Sequence, residues 1–445
     1  MLDDPDASVI TNCIFVLNEL LLSQGGLAAT QSLLMALLNR VGEFSEWGLN
    51  AVLDLVSRYK PATAEEVYAV MNLLDPLLRT ANSGAVLSTV KCFIQLTKEL
   101  LPELHNQIYT RAKPPLLTLI TGAHSEGQYM ILKHLLIMLH EPACQGVFDD
   151  EYRQFFVRYN EPSHVKHLKV DLLPLLTNES NARDIATELG EYVTDVDAEL
   201  AKRGIRAIGR IAMKIEAVSV EMAQTMIDLI NMDSPYVRAE AAKVLVDIIR
   251  INPIISGLVL PFVPSCIKRM EDTEAKASMV WLLGEFGEKI PESPYILETL
   301  IDGYSEEPSV TVKLQVLIAS MKIFFKRPPE VQHMLGRLLK YAVVHESTTS
   351  QDLHDRALLY YRLLMTDPLN AESLFKSSCI APSGEEKRGE GHFIESKDDE
   401  KLGQLLSEFN SLSIIYGMPS AQFIQDAYQL VSIKYVQCVP IMTHA

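Results

Sequence analysis

The sequence has few cysteines, and no two of them lie close together. The 445-residue chain contains six. Their wide separation excludes a disulfide framework and a cysteine-rich zinc site, which need paired or short spacings. It fits a protein from a reducing compartment such as the cytosol. The six are Cys13, Cys92, Cys144, Cys266, Cys379 and Cys438.

Aromatic residues, positive charge and long apolar runs are also scarce. Aromatics make up 7% of the chain, and no long alternating β-branched runs occur, which favours an all-α protein. The net charge of −17 argues against binding nucleic acid over a broad surface. The most apolar stretch, residues 248–267, is interrupted by Arg250, Pro253, Pro261 and Pro264. The sequence therefore predicts no membrane-spanning segment and shows no N-terminal secretion signal.

Catalytic and cofactor motifs are absent from the sequence. It contains no Walker loop, dinucleotide fingerprint, Cys-x-x-Cys pair or G-x-S-x-G motif, so we predict neither an enzyme nor a cofactor site. His164 and His167 share a helix face and could bind a metal. We interpret them as structural residues, because two histidines do not complete a metal shell.

A repeat unit of two helices is visible in residues 195–252. Apolar or small residues recur four and three positions apart from Ala201 to Ile215, which is the pattern of a helix with one buried face. A second stripe follows a break at residues 216–219 and ends near Asp233. Ser234-Pro235 then predicts a new helix start, with the serine hydroxyl as a cap and proline at the first position. Asn252-Pro253 ends that helix.

The same pattern recurs along most of the chain with a period of about 38 residues. In each period, which contains two helices, we mark the repeat by the first position of the second helix that the apolar pattern predicts to be buried. Two helices per period are typical of HEAT or armadillo repeats. The sequence thus predicts an all-α, right-handed α-solenoid of about ten HEAT/armadillo-like helical-hairpin repeats. The assigned positions are Val9, Trp47, Val86, Tyr129, Val165, Leu200, Val237, Ala275, Val312 and Leu353.

Composition divides the chain into three parts. Residues 1–376 form the predicted solenoid, in which Pro114-Pro115 and other Pro or Gly pairs are expected to separate the helices. The N-terminal stripe of Val9, Cys13, Val16 and Leu20 reads as a second helix without its first, which predicts an exposed apolar edge or missing first repeats. Residues 377–404 are predicted to be a disordered polar linker. Residues 405–445 regain apolar content and are predicted to be a partly ordered segment that docks as a strand or short helix.

A basic stripe is the main candidate partner site. Such a stripe on an acidic chain can pair with acidic residues of another subunit or with anionic lipid head groups, although a solvated ridge is the simpler interpretation. The stripe consists of Lys202, Arg203, Arg206, Arg210 and Lys214.

Two further patterns are interpreted as structural. Residues 229–233 (LINMD) match a loose clathrin-box pattern, but they end a predicted helix, where the apolar side chains should be buried. Trp281 is predicted to be a core residue whose ring fills the space beside Gly284.

Four segments resemble the beta-adaptins, the large beta subunits of adaptor protein complexes. They are residues 206–212 (RAIGRIA), 281–286 (WLLGEF), 356–368 (RALLYYRLLMTDP) and 408–417 (EFNSLSIIYG). The resemblance covers roughly residues 2–375, and the last segment is most similar to the fourth type of adaptor complex. The resemblance implies that the chain is truncated at both ends relative to that family.

The resemblance implies a scaffolding trunk subunit of a heterotetramer with a second large adaptin, a medium subunit and a small subunit. Such complexes sort transmembrane cargo on vesicles. The fourth type implies peripheral association with trans-Golgi network or endosomal membranes, without clathrin. A coatomer subunit or nuclear transport receptor is an alternative solenoid scaffold, and a shortened form unable to assemble is a third interpretation.

Overall fold

The computed structural model describes residues 2, 4–21, 26–97, 102–345, 350–376 and 399–423. Within these ranges the chain forms helices and turns and contains no β-strand, so the predicted all-α class is confirmed. The chain divides into two compact units. The first comprises Met1–Leu176 with Lys397–Ala445, and the second comprises Thr177–Ser396.

The described residues form 23 α-helices, joined by turns and short 3₁₀ segments. They are α1 Ala7–Leu20, α2 Gln31–Asn39, α3 Glu46–Ser57, α4 Ala64–Leu74, α5 Ser83–Thr97, α6 Pro102–Gly122, α7 Ser125–Met138, α8 Ser163–Leu172, α9 Ala182–Tyr192, α10 Ala198–Lys214, α11 Glu216–Ile230, α12 Pro235–Ile251, α13 Ser256–Val259, α14 Val263–Arg269, α15 Thr273–Phe286, α16 Ser293–Asp302, α17 Val310–Lys326, α18 Pro328–His345, α19 Gln351–Thr366, α20 Pro368–Lys376, α21 Asp399–Ser407, α22 Leu412–Tyr416 and α23 Ser420–Phe423.

Successive helix pairs stack through their second helices. In the second unit, α10 contacts α12, α12 contacts α15, and α15 contacts α17. The first helices α11, α16 and α18 pack against this second-helix layer. In the first unit, α3 and α5 pack in the same way. This is the arrangement of an α-solenoid, in which each hairpin buries its apolar stripe against its neighbours.

The local signals around α10 and α12 explain where these helices begin and end. The Asp197 carboxylate accepts hydrogen bonds from the backbone N–H groups of Glu199 (3.0 Å) and Leu200 (3.3 Å), which fixes the start of α10. Pro235 occupies the first turn of α12, as predicted. Two details were wrong: α11 already begins at Glu216, leaving a shorter break, and the Ser234 side chain makes no capping hydrogen bond.

Most of the assigned repeat positions are buried, but three are not fully so. Seven of the ten, including Val86 and Leu353, lie in the core. Val9 and Tyr129 are half-buried. Trp47 is 82% exposed, so its assignment was wrong. It lies in the first turn of α3, and the buried positions of that helix begin at Gly48 and Leu49.

Pro114 and Pro115 lie inside α6, which corrects the prediction that they separate two helices. Proline in a helix interior costs about 3 kcal/mol, because it lacks an N–H donor and clashes with the preceding turn. The helix continues because Ile108, Ala112 and Leu116 are buried along its length. Tertiary packing therefore outweighs the local cost.

The N-terminal helix and the C-terminal region complete the described structure. Ile10 and Ile14 are the buried apolar residues of α1, whereas Val16 and Leu20 are exposed. Residues 377–398 of the predicted linker and residues 424–445 lie outside the described residues. Residues 399–404 belong to α21, and the following described segment docks on the first unit as short helices.

No single helix in the described ranges is long and apolar enough to cross a bilayer. One pair of consecutive helical segments, Pro235–Ile251 and Pro253–Arg269, has the length and composition of a membrane span when taken together, but the two segments are bent by 119°. Side chains from both of its arms, including Val237, Leu245 and Val263, are buried in the second unit.

Candidate partner interface

The predicted basic stripe lies along α10, on the side opposite its buried apolar residues. Ala201, Ile205, Ile208 and Ala212 are fully buried, which orients the helix. Three of the five stripe residues make contacts within the second unit. Arg203 Nε lies 3.2 Å from Glu199 Oε1, Arg206 Nε lies 2.5 Å from Glu240 Oε1, and Lys214 Nζ donates to the Thr177 carbonyl (2.7 Å).

Lys202 and Arg210 differ from the other three stripe residues. Both are half-buried and make no hydrogen bond or ion pair with any residue that the structure describes. Their charges are therefore available to a partner. The structure thus reduces the predicted stripe to two free cations on a helix whose other three cations are engaged in contacts within the second unit.

Ion pairs connect consecutive second helices across the layer. Arg206 of α10 forms an ion pair with Glu240 of α12, whose side chain is only 3% exposed. Lys243 on α12 reaches Glu274 (2.8 Å) and Asp272 (3.3 Å) at the start of α15. Burial opposes the charged form of Lys243, but its carboxylate partners outweigh burial and raise its pKa. These pairs join residues about one repeat apart.

Arg250 and Trp281 form a half-buried pair on the same layer. The Arg250 guanidinium lies 4.4 Å from the centre of the Trp281 ring, and its Nη1 lies 3.2 Å from Asp247 Oδ1. Glu240, Lys243, Asp247 and Arg250 recur at helical spacing, so Arg250 lies on the face of α12 that carries these ion pairs. Its side chain remains 34% exposed. Arginine and tryptophan are enriched in the energetic centres of protein interfaces.

The interpretation of Trp281 as a core residue beside Gly284 was wrong. Trp281 is half-buried beneath Arg250, and the space beside Gly284 is occupied by α17. A Cβ placed on Gly284 would lie 2.8 Å from the Ala319 Cα. The glycine therefore allows α15 and α17 to approach each other. The sequence singled out Trp281 and Gly284, but it did not predict that they contact Arg250 and Ala319.

The remaining sequence patterns do not form a site. Leu229 and Ile230 of the clathrin-box pattern are buried at the end of α11, so that pattern is unavailable for binding. His164 packs edge to face against Tyr129, with ring centres 5.5 Å apart. No group of three His, Cys, Asp or Glu side chains suited to a metal occurs within the described ranges.

A cleft of about 300 Å³ lies between helices of the second unit. Its wall is largely apolar and includes Ile296, Val312 and Val316. At its edge Lys276 pairs with Glu307, and Lys313 lies over the Tyr304 ring at 5.4 Å. Two of the three lysines that line this cleft, Lys276 and Lys313, are thus engaged in contacts within the unit.

Comparison with known proteins identifies the family. Residues 1–368 match the family model described as the adaptin N-terminal region. The chain is 38% identical over 435 residues to beta-adaptin-like protein A of Arabidopsis thaliana, covering 95% of this chain and 50% of that protein. It is 32% identical over 417 residues to the mouse AP-4 complex subunit beta-1, covering 94% and 54%. It thus spans about half the length of the curated relatives it matches.

A structural comparison agrees with the repeat fold. A chain in a homology model of the full-length AP-3 complex in an intermediate open conformation superposes with a TM-score of 0.59 at 17% identity. The match covers 84% of this chain and 68% of that one, and at this identity it shows the fold alone. The family match covers most of the chain, and its curated relatives include beta-adaptins. The chain therefore belongs to the adaptin family, and the curated relatives that it resembles include beta-adaptins.

Proposed function

We propose that this chain is the trunk subunit of a heterotetrameric adaptor complex that sorts transmembrane cargo into vesicles. Its partners are a second large adaptin, a medium adaptin and a small adaptin. We assign the complex to the fourth type, which acts without clathrin as a peripheral coat at trans-Golgi network and endosomal membranes. The family match and the similarity to an AP-4 beta subunit support this assignment.

The surface of the second-helix layer is the feature that best supports a scaffolding role. It carries the free cations Lys202 and Arg210 on α10, with Arg250 over Trp281 on the neighbouring helices. On a chain of net charge −17, these cations favour an acidic segment of a partner subunit. The adaptin family match and the beta-adaptin relatives favour this proposal over a coatomer subunit or a nuclear transport receptor. The shortened form unable to assemble is one outcome of the experiment below.

Reversing the two free cations is expected to weaken assembly. In co-expression with a fourth-type medium adaptin, the double variant K202E/R210E should reduce the medium adaptin recovered on the tagged chain roughly tenfold, because like charges then face the acidic partner. K340E is the matched control, since Lys340 is exposed on the first helix α18.

Three results of this pull-down have distinct meanings. Capture by the wild type and K340E, with loss in K202E/R210E, supports the proposed interface. Equal capture by all three would place the medium adaptin elsewhere on the chain. If the wild type captures none, this chain does not act as a scaffold for that subunit, although its family assignment stands.

A further inference from the structure

Residues 405–414 bury three apolar side chains against the first unit. Helices α21 and α22 both contact α7. Leu405, Phe409 and Ile414 are buried, and the Phe409 ring packs edge to face on His134 of α7 with centres 4.8 Å apart. Leu412 and Tyr416 of the same segment are exposed. The segment therefore has an apolar face that binds the trunk and an opposite face open to solvent.

A polar contact fixes the position of the segment. Asn410 adopts a left-handed backbone conformation (φ 59°), which asparagine tolerates better than most residues. Its side-chain amide donates to Ser88 Oγ on α5 (2.6 Å), and the Ser88 hydroxyl donates to Asn50 Oδ1 on α3 (3.1 Å). Ser88 lies 322 positions before Asn410, so chain connectivity does not enforce this contact.

The segment also has structure of its own. Ser411 caps α22, and Gly417 ends it in a left-handed conformation (φ 65°). The Glu408 carboxylate accepts hydrogen bonds from the Ser420 backbone N–H (2.9 Å) and hydroxyl (2.7 Å). Burial alone would raise the pKa of Glu408, but hydrogen bonds from Ser413 and Ser420 outweigh it and hold that pKa below its usual range. Such a pre-organised peptide loses less entropy on binding.

We propose that α5 and α7 form a peptide-binding groove, and that residues 405–414 are its exchangeable ligand, held in cis. The groove takes a short helix–turn–helix peptide with leucine, Phe-Asn and isoleucine at the spacing of Leu405, Phe409, Asn410 and Ile414. Phe409 is the apolar anchor, and Asn410 sets the register through Ser88. This inference concerns the chain alone and does not depend on adaptor assembly.

His134 makes occupancy of the groove dependent on pH. Its Nδ1 donates to the Met130 carbonyl (2.7 Å), and its Nε2 is buried without a hydrogen-bond partner among the described residues. Burial lowers the pKa of His134 to about 4, against the opposing effect of that hydrogen bond. Lys133, adjacent to His134 in sequence, lies over the Tyr129 ring, and Glu408, adjacent to Phe409, accepts a hydrogen bond from the Ser420 hydroxyl.

The sign of this dependence follows from the lowered pKa. The released state, with a solvated histidine near its ordinary pKa of 6.5, takes up a proton that the docked state excludes. Docking therefore weakens as the pH falls below about 6.5.

Hydrogen exchange on the full chain tests the groove. In F409A, the amide exchange rates of α5 (residues 83–97) and α7 (residues 125–138), corrected for intrinsic exchange, should rise on the order of 100-fold. This is the effect of removing a buried phenylalanine side chain. N410A should raise it roughly tenfold, and the exposed-site control L412A should leave it unchanged. A synthetic peptide of residues 399–423, added in trans, should restore protection in F409A and leave the wild type unchanged. In the wild type, lowering the pH from 7.5 to 5.5 should raise the population of the state with the segment released about tenfold. The same hydrogen-exchange measurement on residues 83–97 and 125–138 reports this increase.

Two results would overturn the proposal. Unchanged exchange in both F409A and N410A would show that these side chains do not hold the segment. Loss of cooperative unfolding of the first unit in both variants, without rescue by the peptide, would make the segment a part of the core and not a ligand.

Discussion

Replacing Gly284 by valine is expected to destabilise the second unit by about 3 kcal/mol, with a fall in Tm of roughly 5–10 °C. A Cβ at this position would lie 2.8 Å from the Ala319 Cα and 3.0 Å from its Cβ. The obstacle includes backbone of α17, which cannot rotate away, so α15 and α17 must separate. Because these two helices pack closely in the second-helix layer, their separation weakens the repeat stack.

The measurement is thermal unfolding followed by circular dichroism, with G336A as the matched control. Gly336 is also in a helix, α18, but a Cβ there meets nothing within 4 Å. Alanine is the better helix former by up to about 1 kcal/mol, so G336A should be neutral or stabilising. A G284V variant as stable as the wild type would contradict the close approach of α15 and α17.

Removing either partner of the Lys322–Glu285 ion pair is expected to cost about 3–5 kcal/mol, because the other charge is left buried. Lys322 Nζ lies 2.6 Å from Glu285 Oε2, and both side chains are only 8% exposed. Lys326 additionally donates to the Glu285 backbone carbonyl, so the site lies within a polar connection between α15 and α17. The double replacement K322M/E285L should be close to the wild type, since it removes both charges and keeps apolar volume.

A double-mutant cycle in urea tests this pair. The single variants K322M and E285L should each lower the free energy of unfolding strongly, and the double variant should recover most of the loss. The exposed pair Arg183–Glu221 provides the comparison, with side chains 69% and 56% exposed. Disrupting it should change stability by no more than about 1 kcal/mol. Additive small effects at Lys322 and Glu285 would show that this pair does not join the two helices.

Apolar periodicity predicted the all-α repeat fold because burial of one helix face is a local property of the sequence. The stripe from Ala201 to Ala212 lies in the core as predicted. Trp47 and the pair Pro114-Pro115 were misplaced because tertiary packing decided their positions: α3 buries the residues after Trp47, and α6 continues through its prolines. Local propensity alone does not contain this information.

The candidate partner surface was less predictable, because the contacts that connect its helices join residues about one repeat apart. The spacing of the five basic residues identified α10. It did not show that Arg206 pairs with Glu240 or that Arg210 has no such pair. A signal was nevertheless present. Opposite charges separated by 31 to 37 residues, as in Lys243–Glu274, Arg206–Glu240 and Lys322–Glu285, fall next to each other in a repeat of about 38 residues. A search for such offsets would have found these pairs and the cations left over.

Hydroxyl-radical footprinting of the free and assembled chain is the most direct test of the proposal that partner subunits bind the second-helix layer. Trp281 reports on this layer, and Tyr295, exposed on the first helix α16, reports on the other side of the hairpins. Assembly with the medium and small adaptins should reduce modification of Trp281 several-fold and leave Tyr295 unchanged. Protection of Tyr295 with continued modification of Trp281 would contradict this assignment.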